Sequence, residues 1–137
     1  MAEELTRAEE SVVPTIDSNS PLYVHPSDTP GSVLVSKQLV GTDNYRIWSR
    51  AMIVSLCAKN KLGFVNGACT KSFVHPRLVP QWERCNSLVL AWIFNSVSKE
   101  IFNGIVYSSI ASQVWQDLQE QYLKSMGLES FVFTENL

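Results

Sequence analysis

The sequence predicts an all-α fold: a small helical bundle of four to five helices, preceded by a disordered tail and a short extended arm. Three observations carry that prediction. Apolar residues recur every three or four positions from Tyr45 onward, the period of a helix with one buried face. All four tryptophans (Trp48, Trp82, Trp92, Trp115) fall on those stripes. Prolines concentrate near the N-terminus, where Pro14, Pro21, Pro26, Pro30 and Gly31 leave no regular period intact. With 137 residues, 45% hydrophobic and 18% charged, the chain suits one domain of ordinary size.

Residues 1–31 read as a tail, acidic over 1–21, with Leu22, Tyr23 and Val24 able to dock locally. Ser32 to Ser36 is short and β-branched, and suits an extended arm or single strand that must lie on something else. The first helix begins after Thr42, Asp43 or Asn44, any of which can supply a capping oxygen. Its stripe is Tyr45, Trp48, Met52 and Leu56; Arg46, Arg50 and Lys59 make the opposite face cationic, and the helix ends near Asn60 and Lys61. Residues 62–78 look like a long connector. The second helix starts at Pro80, which suits a first turn because it lacks the N–H left over there. Trp82, Cys85, Val89, Trp92 and Ile93 form its stripe, and Leu88 and Leu90 widen it, so it belongs near the bundle centre. Ser98 caps a third helix running from Lys99 to about Val106. Ser109 or Ser112 caps a fourth, with Val114, Trp115, Leu118 and Tyr122, closing near Gly127. The domain is expected over 22–126, followed by a tail over 127–137.

The formal charge of −2 argues against a strongly basic nucleic-acid binder, but it sums unlike segments. Residues 1–20 carry five acids against Arg7, whereas 37–84 carry eight bases against Asp43 and Glu83. Arg46, Arg50, Lys59 and Lys61 are the candidate RNA contacts within that basic stretch, against the plainer reading of a solvated helix face. The sequence offers no apolar run near the ~20 residues that span a bilayer, and its N-terminus is acidic where targeting signals are basic. A cytoplasmic setting, with a nuclear one as the alternative, is the default expectation.

Catalysis needs convergent polar groups, and none assemble. His25 and His75 both precede proline in loop-like segments. Cys57, Cys69 and Cys85 are expected as reduced thiols, with Cys57 and Cys85 packed as small core residues. Cys57, Cys69, His75 and Cys85 lack the close pair that anchors a zinc site. Phosphate-cradling glycine motifs are absent. No enzyme activity, metal, cofactor or small-molecule substrate is expected.

Three motifs together carry a family resemblance: H-P-S-D-x-P-G over 25–31, N-Y-x-x-W-x-x-x-M over 44–52, and W-x-x-L-x-x-x-Y over 115–122. Residues 21–124 resemble the N-terminal region of Copia-type LTR retrotransposon Gag polyproteins of plants. The resemblance implies a helical domain related to retroviral capsid N-terminal lobes, which assemble Gag into particles that package element RNA. It implies no catalytic residues. It places Tyr45, Trp48, Met52, Trp82, Trp92, Trp115, Leu118 and Tyr122 in the core, and makes other Gag chains, including copies of itself, the first partner and RNA a weaker second. Residues 123–137 depart from the family, which continues into further helices. A second capsid lobe and a C-x₂-C-x₄-H-x₄-C knuckle are both missing, so the expectation is a truncated Gag. The alternative is an RNA-binding module acting through segment 37–84.

Overall fold

The computed structural model describes residues 14–127. They form five α-helices: α1 (Tyr45–Ala58), α2 (Gly63–Asn66), α3 (Val79–Phe94), α4 (Lys99–Ile105) and α5 (Ala111–Ser125). Short 3-10 turns lead into α1 (Thr42–Asn44) and fill the connector (Lys71–Phe73, Pro76–Leu78). The fold is all-α, and among the described residues there is no strand. The tail expected over 1–21 lies outside the described residues up to 13; from Pro14 the chain runs in turns, and Ile16 packs against the core. Of the tail expected over 127–137, only Gly127 is described.

The extended arm differs from expectation in a physically simple way. Ser32 to Ser36 form no strand, because no neighbouring strand is present to receive their backbone groups. Val35 is buried and Leu34 half-buried, while Val33 is 59% exposed. Among the described residues the one bridge sits further on, between Leu39 and Val97, in parallel sense. The Leu39 N–H donates to Ser96 O at 2.9 Å, and the Ser98 N–H donates to Leu39 O at 2.9 Å.

The core is aromatic and ties α1 to α5. Tyr45 stacks on Tyr122 with centroids 5.5 Å apart, and Trp48 stacks on Trp115 at 5.6 Å. Met52, Leu56 and Leu118 fill the space around them, and all of these side chains are buried. The connector adds more than the sequence suggests. Phe64 and Val65 of α2 are buried, and Phe64 lies 5.8 Å from the Trp82 ring. Two glycines make this turn possible. A Cβ at Gly63 would come within 3.1 Å of the Cys69 Cβ, and Gly67 closes α2 at φ 86°, a left-handed conformation that suits glycine.

Two of the expected helix caps are made otherwise. Asn44 does not cap α1; it turns back to the arm, accepting from the Val40 N–H (3.1 Å) and donating to Gln38 O (2.9 Å). Neither Ser109 nor Ser112 caps α5. Asn86 of α3 does so from across the bundle, its Oδ1 accepting from the Ala111 N–H (2.9 Å) while its Nδ2 donates to Ser109 O (2.7 Å). A free helix-end donor is satisfied either way; here a tertiary contact serves. Ser98 caps α4 as expected, accepting from the Ile101 N–H. Pro80 does sit in the first turn of α3, which begins one residue earlier.

Trp48 joins both kinds of bond, since its buried indole N–H also donates to Ser96 O at 2.8 Å. Replacing Trp48 with Ala should cost about 3–5 kcal/mol in urea unfolding, and a loss below about 1 kcal/mol would contradict this packing. Hydrogen exchange should show the Leu39 and Ser98 amides protected far above Lys37, which is exposed.

Candidate functional site

The N-terminal segment over 19–38, here the arm in the wider sense, meets the bundle around α1 and α3, and side chains mediate the contact. Lys61 Nζ donates to Tyr23 O (2.6 Å), Gln81 Nε2 and Cys85 Sγ both donate to Leu22 O (2.9 and 3.4 Å), and Trp92 Nε1 donates to Thr29 O (2.7 Å). Asn60 Nδ2 reaches Asn19 O (3.0 Å) and Asn95 Nδ2 reaches Pro30 O (2.8 Å). The H-P-S-D-x-P-G segment is a turn that presents one carboxylate to the bundle. Within it the His25 N–H donates to Asp28 Oδ2 and the Asp28 N–H to His25 O. Asp28 Oδ1 then pairs with Lys59 Nζ at 2.8 Å, and that ammonium lies 5.5 Å from the Trp92 ring centroid, close enough for a cation–π attraction.

The four expected RNA-contacting residues sit in different settings. Lys61 is 1% exposed, and its charge faces a backbone carbonyl inside the protein. Lys59 is held by Asp28 and Trp92. Arg46 and Arg50 alone among the four are exposed and, among the described residues, in no ion pair. The outer face of α1 is also less purely cationic than its sequence reads. Ile47 (76% exposed) and Val54 (51%) stand between and beyond the arginines. Cys57 is exposed on that helix rather than packed in the core, whereas Cys85 is buried. The eight expected core residues are all buried: Tyr45, Trp48 and Met52 on α1, Trp82 and Trp92 on α3, Trp115, Leu118 and Tyr122 on α5.

Burial and charge oppose each other at both Lys61 and Asp28. Burial pushes the Lys61 ammonium below its ordinary value, with the nearby Cys85 and Asp28 opposing that. Burial alone would raise Asp28, but the Lys59 hydrogen bond, the His25 N–H and the two lysine charges outweigh it and hold the carboxyl low.

Other polar groups of the surface are used locally. The His25 and His75 rings each accept a backbone N–H two residues on, from Ser27 and Arg77, so both serve turns. A cleft of 570 Å³ lies between the connector, α3 and the start of α5, lined by Phe64, Cys69, Trp82, Asn86 and Ile110. Its Asn86 is committed at both ends, and Lys71 and Glu83 pair across its rim at 2.9 Å. Among the described residues no group of three or more His, Cys, Asp or Glu side chains is placed to hold a metal ion. None of their helices is long and apolar enough to cross a membrane. No local pattern marks Asn60, Gln81 and Asn95 as donors to the N-terminal segment; the turn-forming residues around Asp28 are the one local signal pointing to this junction.

A depressed carboxyl pKa stabilises the fold above its ordinary value and withdraws that support as pH falls through the folded one. Acid unfolding should therefore steepen below the ordinary carboxyl value of 3.8. Asp28→Asn should flatten that limb, and an unchanged acid limb would show that the Asp28–Lys59 pair contributes nothing.

The comparisons with known proteins add one match. Residues 25–71 match the family described as Gag-polypeptide of LTR copia-type. That span contains the carboxylate turn, the arm, α1 and α2. No curated protein and no solved structure matches the chain. The arm, α1 and α2 of this protein are thus similar to a copia-type Gag region.

Proposed function

We propose that this chain is a non-enzymatic, Gag/capsid-like interaction module of an LTR retrotransposon, acting in the cytoplasm by association with copies of itself or with other Gag chains. The copia-type Gag match over 25–71 is the observation that carries this reading. The chemistry of the described residues supports it. Buried polar groups such as Lys61, Asn86 and the Trp92 indole are spent on holding backbone in place, and apolar side chains such as Ile47 and Val54 face outward. That combination suits a surface that other proteins recognise rather than a pocket that transforms a substrate.

A narrower second reading is RNA contact through Arg46 and Arg50, the two arginines left exposed on α1. It predicts an affinity that falls steeply with added salt. Sedimentation velocity across a concentration series tests the first reading directly. The sedimentation coefficient should rise through the micromolar range, whereas a strict monomer at high micromolar that also ignores longer Gag chains would overturn it. Absence of RNA retention at low salt would end the second.

A further inference from the structure

Two exposed faces of the bundle are complementary, and neither is satisfied within one copy. On α1, Arg46 and Arg50 are one turn apart, with Ile47 between them and Val54 one turn beyond Arg50. On α5, Asp117 and Glu120 are likewise one turn apart and exposed, flanked by Gln116 and Gln121. In both helices the pair is spaced by about 5–6 Å, so two arginines can meet two carboxylates in register. Gln113 donates to Asp117 Oδ1 at 2.8 Å, but none of the four charged groups is in an ion pair among the described residues. The two helices pack through their opposite faces, Tyr45 on Tyr122 and Trp48 on Trp115, which leaves the charged residues exposed.

The geometry points to a head-to-tail contact in which the Arg46/Ile47/Arg50/Val54 face of α1 docks on the Asp117/Glu120 face of α5 in a second copy. This rests on the self-association reading above and names the surfaces that perform it. Exposed ion pairs are individually weak, so the charges set partner and register. Covering Ile47 and Val54 with the aliphatic stems of Gln116 and Lys124 supplies the apolar part. Those two side chains also favour protein over nucleic acid as the occupant, since an exposed Ile and Val offer nothing to a phosphate backbone. A contact between unlike faces leaves each copy with one free donor face and one free acceptor face. Association then extends into rings or filaments instead of stopping at a twofold dimer.

Charge reversal on the full chain tests this, with circular dichroism confirming that each variant stays helical. Arg46→Glu with Arg50→Glu, and separately Asp117→Lys with Glu120→Lys, should each weaken association at least tenfold in sedimentation velocity. An equimolar mixture of the two should recover it, because the intact α1 face of one meets the intact α5 face of the other. The chain carrying all four reversals should associate like the wild type. Wild-type association that ignores either reversal, or a mixture that stays monomeric, overturns the assignment of surfaces. So does an arginine reversal that abolishes RNA retention while leaving association unchanged, which would make α1 an RNA surface. A wild-type chain that is monomeric at every concentration is a different failure, because it removes the self-association reading itself.

Discussion

An irregular segment lying against a protein must place its backbone carbonyls somewhere, and here that requirement organises the molecule. Residues 19–38 have neither a helix nor a ladder to satisfy them. Local turns take up some of their carbonyls, and side chains from outside the segment take up others. Asn60, Gln81, Cys85, Lys61, Trp92, Asn95, Ser55 and Asn44 donate to carbonyls of residues 19, 22, 23, 29, 30, 34 and 38. Each such bond is worth only about 1 kcal/mol net, but an unmade one in a buried setting costs more. The bundle surface beneath the arm is therefore polar at fixed points and apolar between them, as Leu22 and Val35 require.

That constraint explains why two residue types recur in unusual roles. Indole N–H groups are placed where a loop carbonyl can meet them: Trp48 on Ser96, Trp82 on Cys69, Trp92 on Thr29. Each ring fills core volume while its one polar atom secures irregular backbone. Asparagines do the same at helix boundaries. Asn44 holds the arm beside α1, Asn86 closes α5, and Asn95 holds Pro30 at the end of α3. Among the described residues the Trp115 indole N–H has no such partner, and its ring is secured by stacking on Trp48 instead.

The helices were legible because their information is local and periodic. Tyr45, Trp48, Met52 and Leu56 announce a buried face by spacing alone, as do Trp115, Leu118 and Tyr122, and all seven are buried. The arm junction was not legible, because its donors and acceptors lie up to 65 positions apart along the chain and follow no period. Lys61 shows the difference well. In one dimension it continues a cationic stretch; in three it is a buried donor to Tyr23 O. Ser109 and Ser112 were reasonable caps by type, but Asn86 reaches the same N–H from another helix. Phe64 and Val65 hid between glycines, where a four-residue helix leaves too short a pattern to read.

The same contacts bear on what the family match describes. Residues 25–71 supply the carboxylate turn, the arm, α1 and α2, but not the groups that complete them. Arm carbonyls within that span depend on Trp92 and Asn95, the Leu39 bridge depends on Ser96 and Ser98, and the α1 stripe stacks on Trp115 and Tyr122. Cut off after residue 71, the segment would expose Tyr45, Trp48 and Leu39 and leave buried acceptors unmet. A helix of 14 residues gains most of its stability from packing, so α1 would not survive that loss. The Gag-like portion is thus one half of a core whose other half is α3 to α5. Any association through α1 therefore depends on helices that the match does not reach.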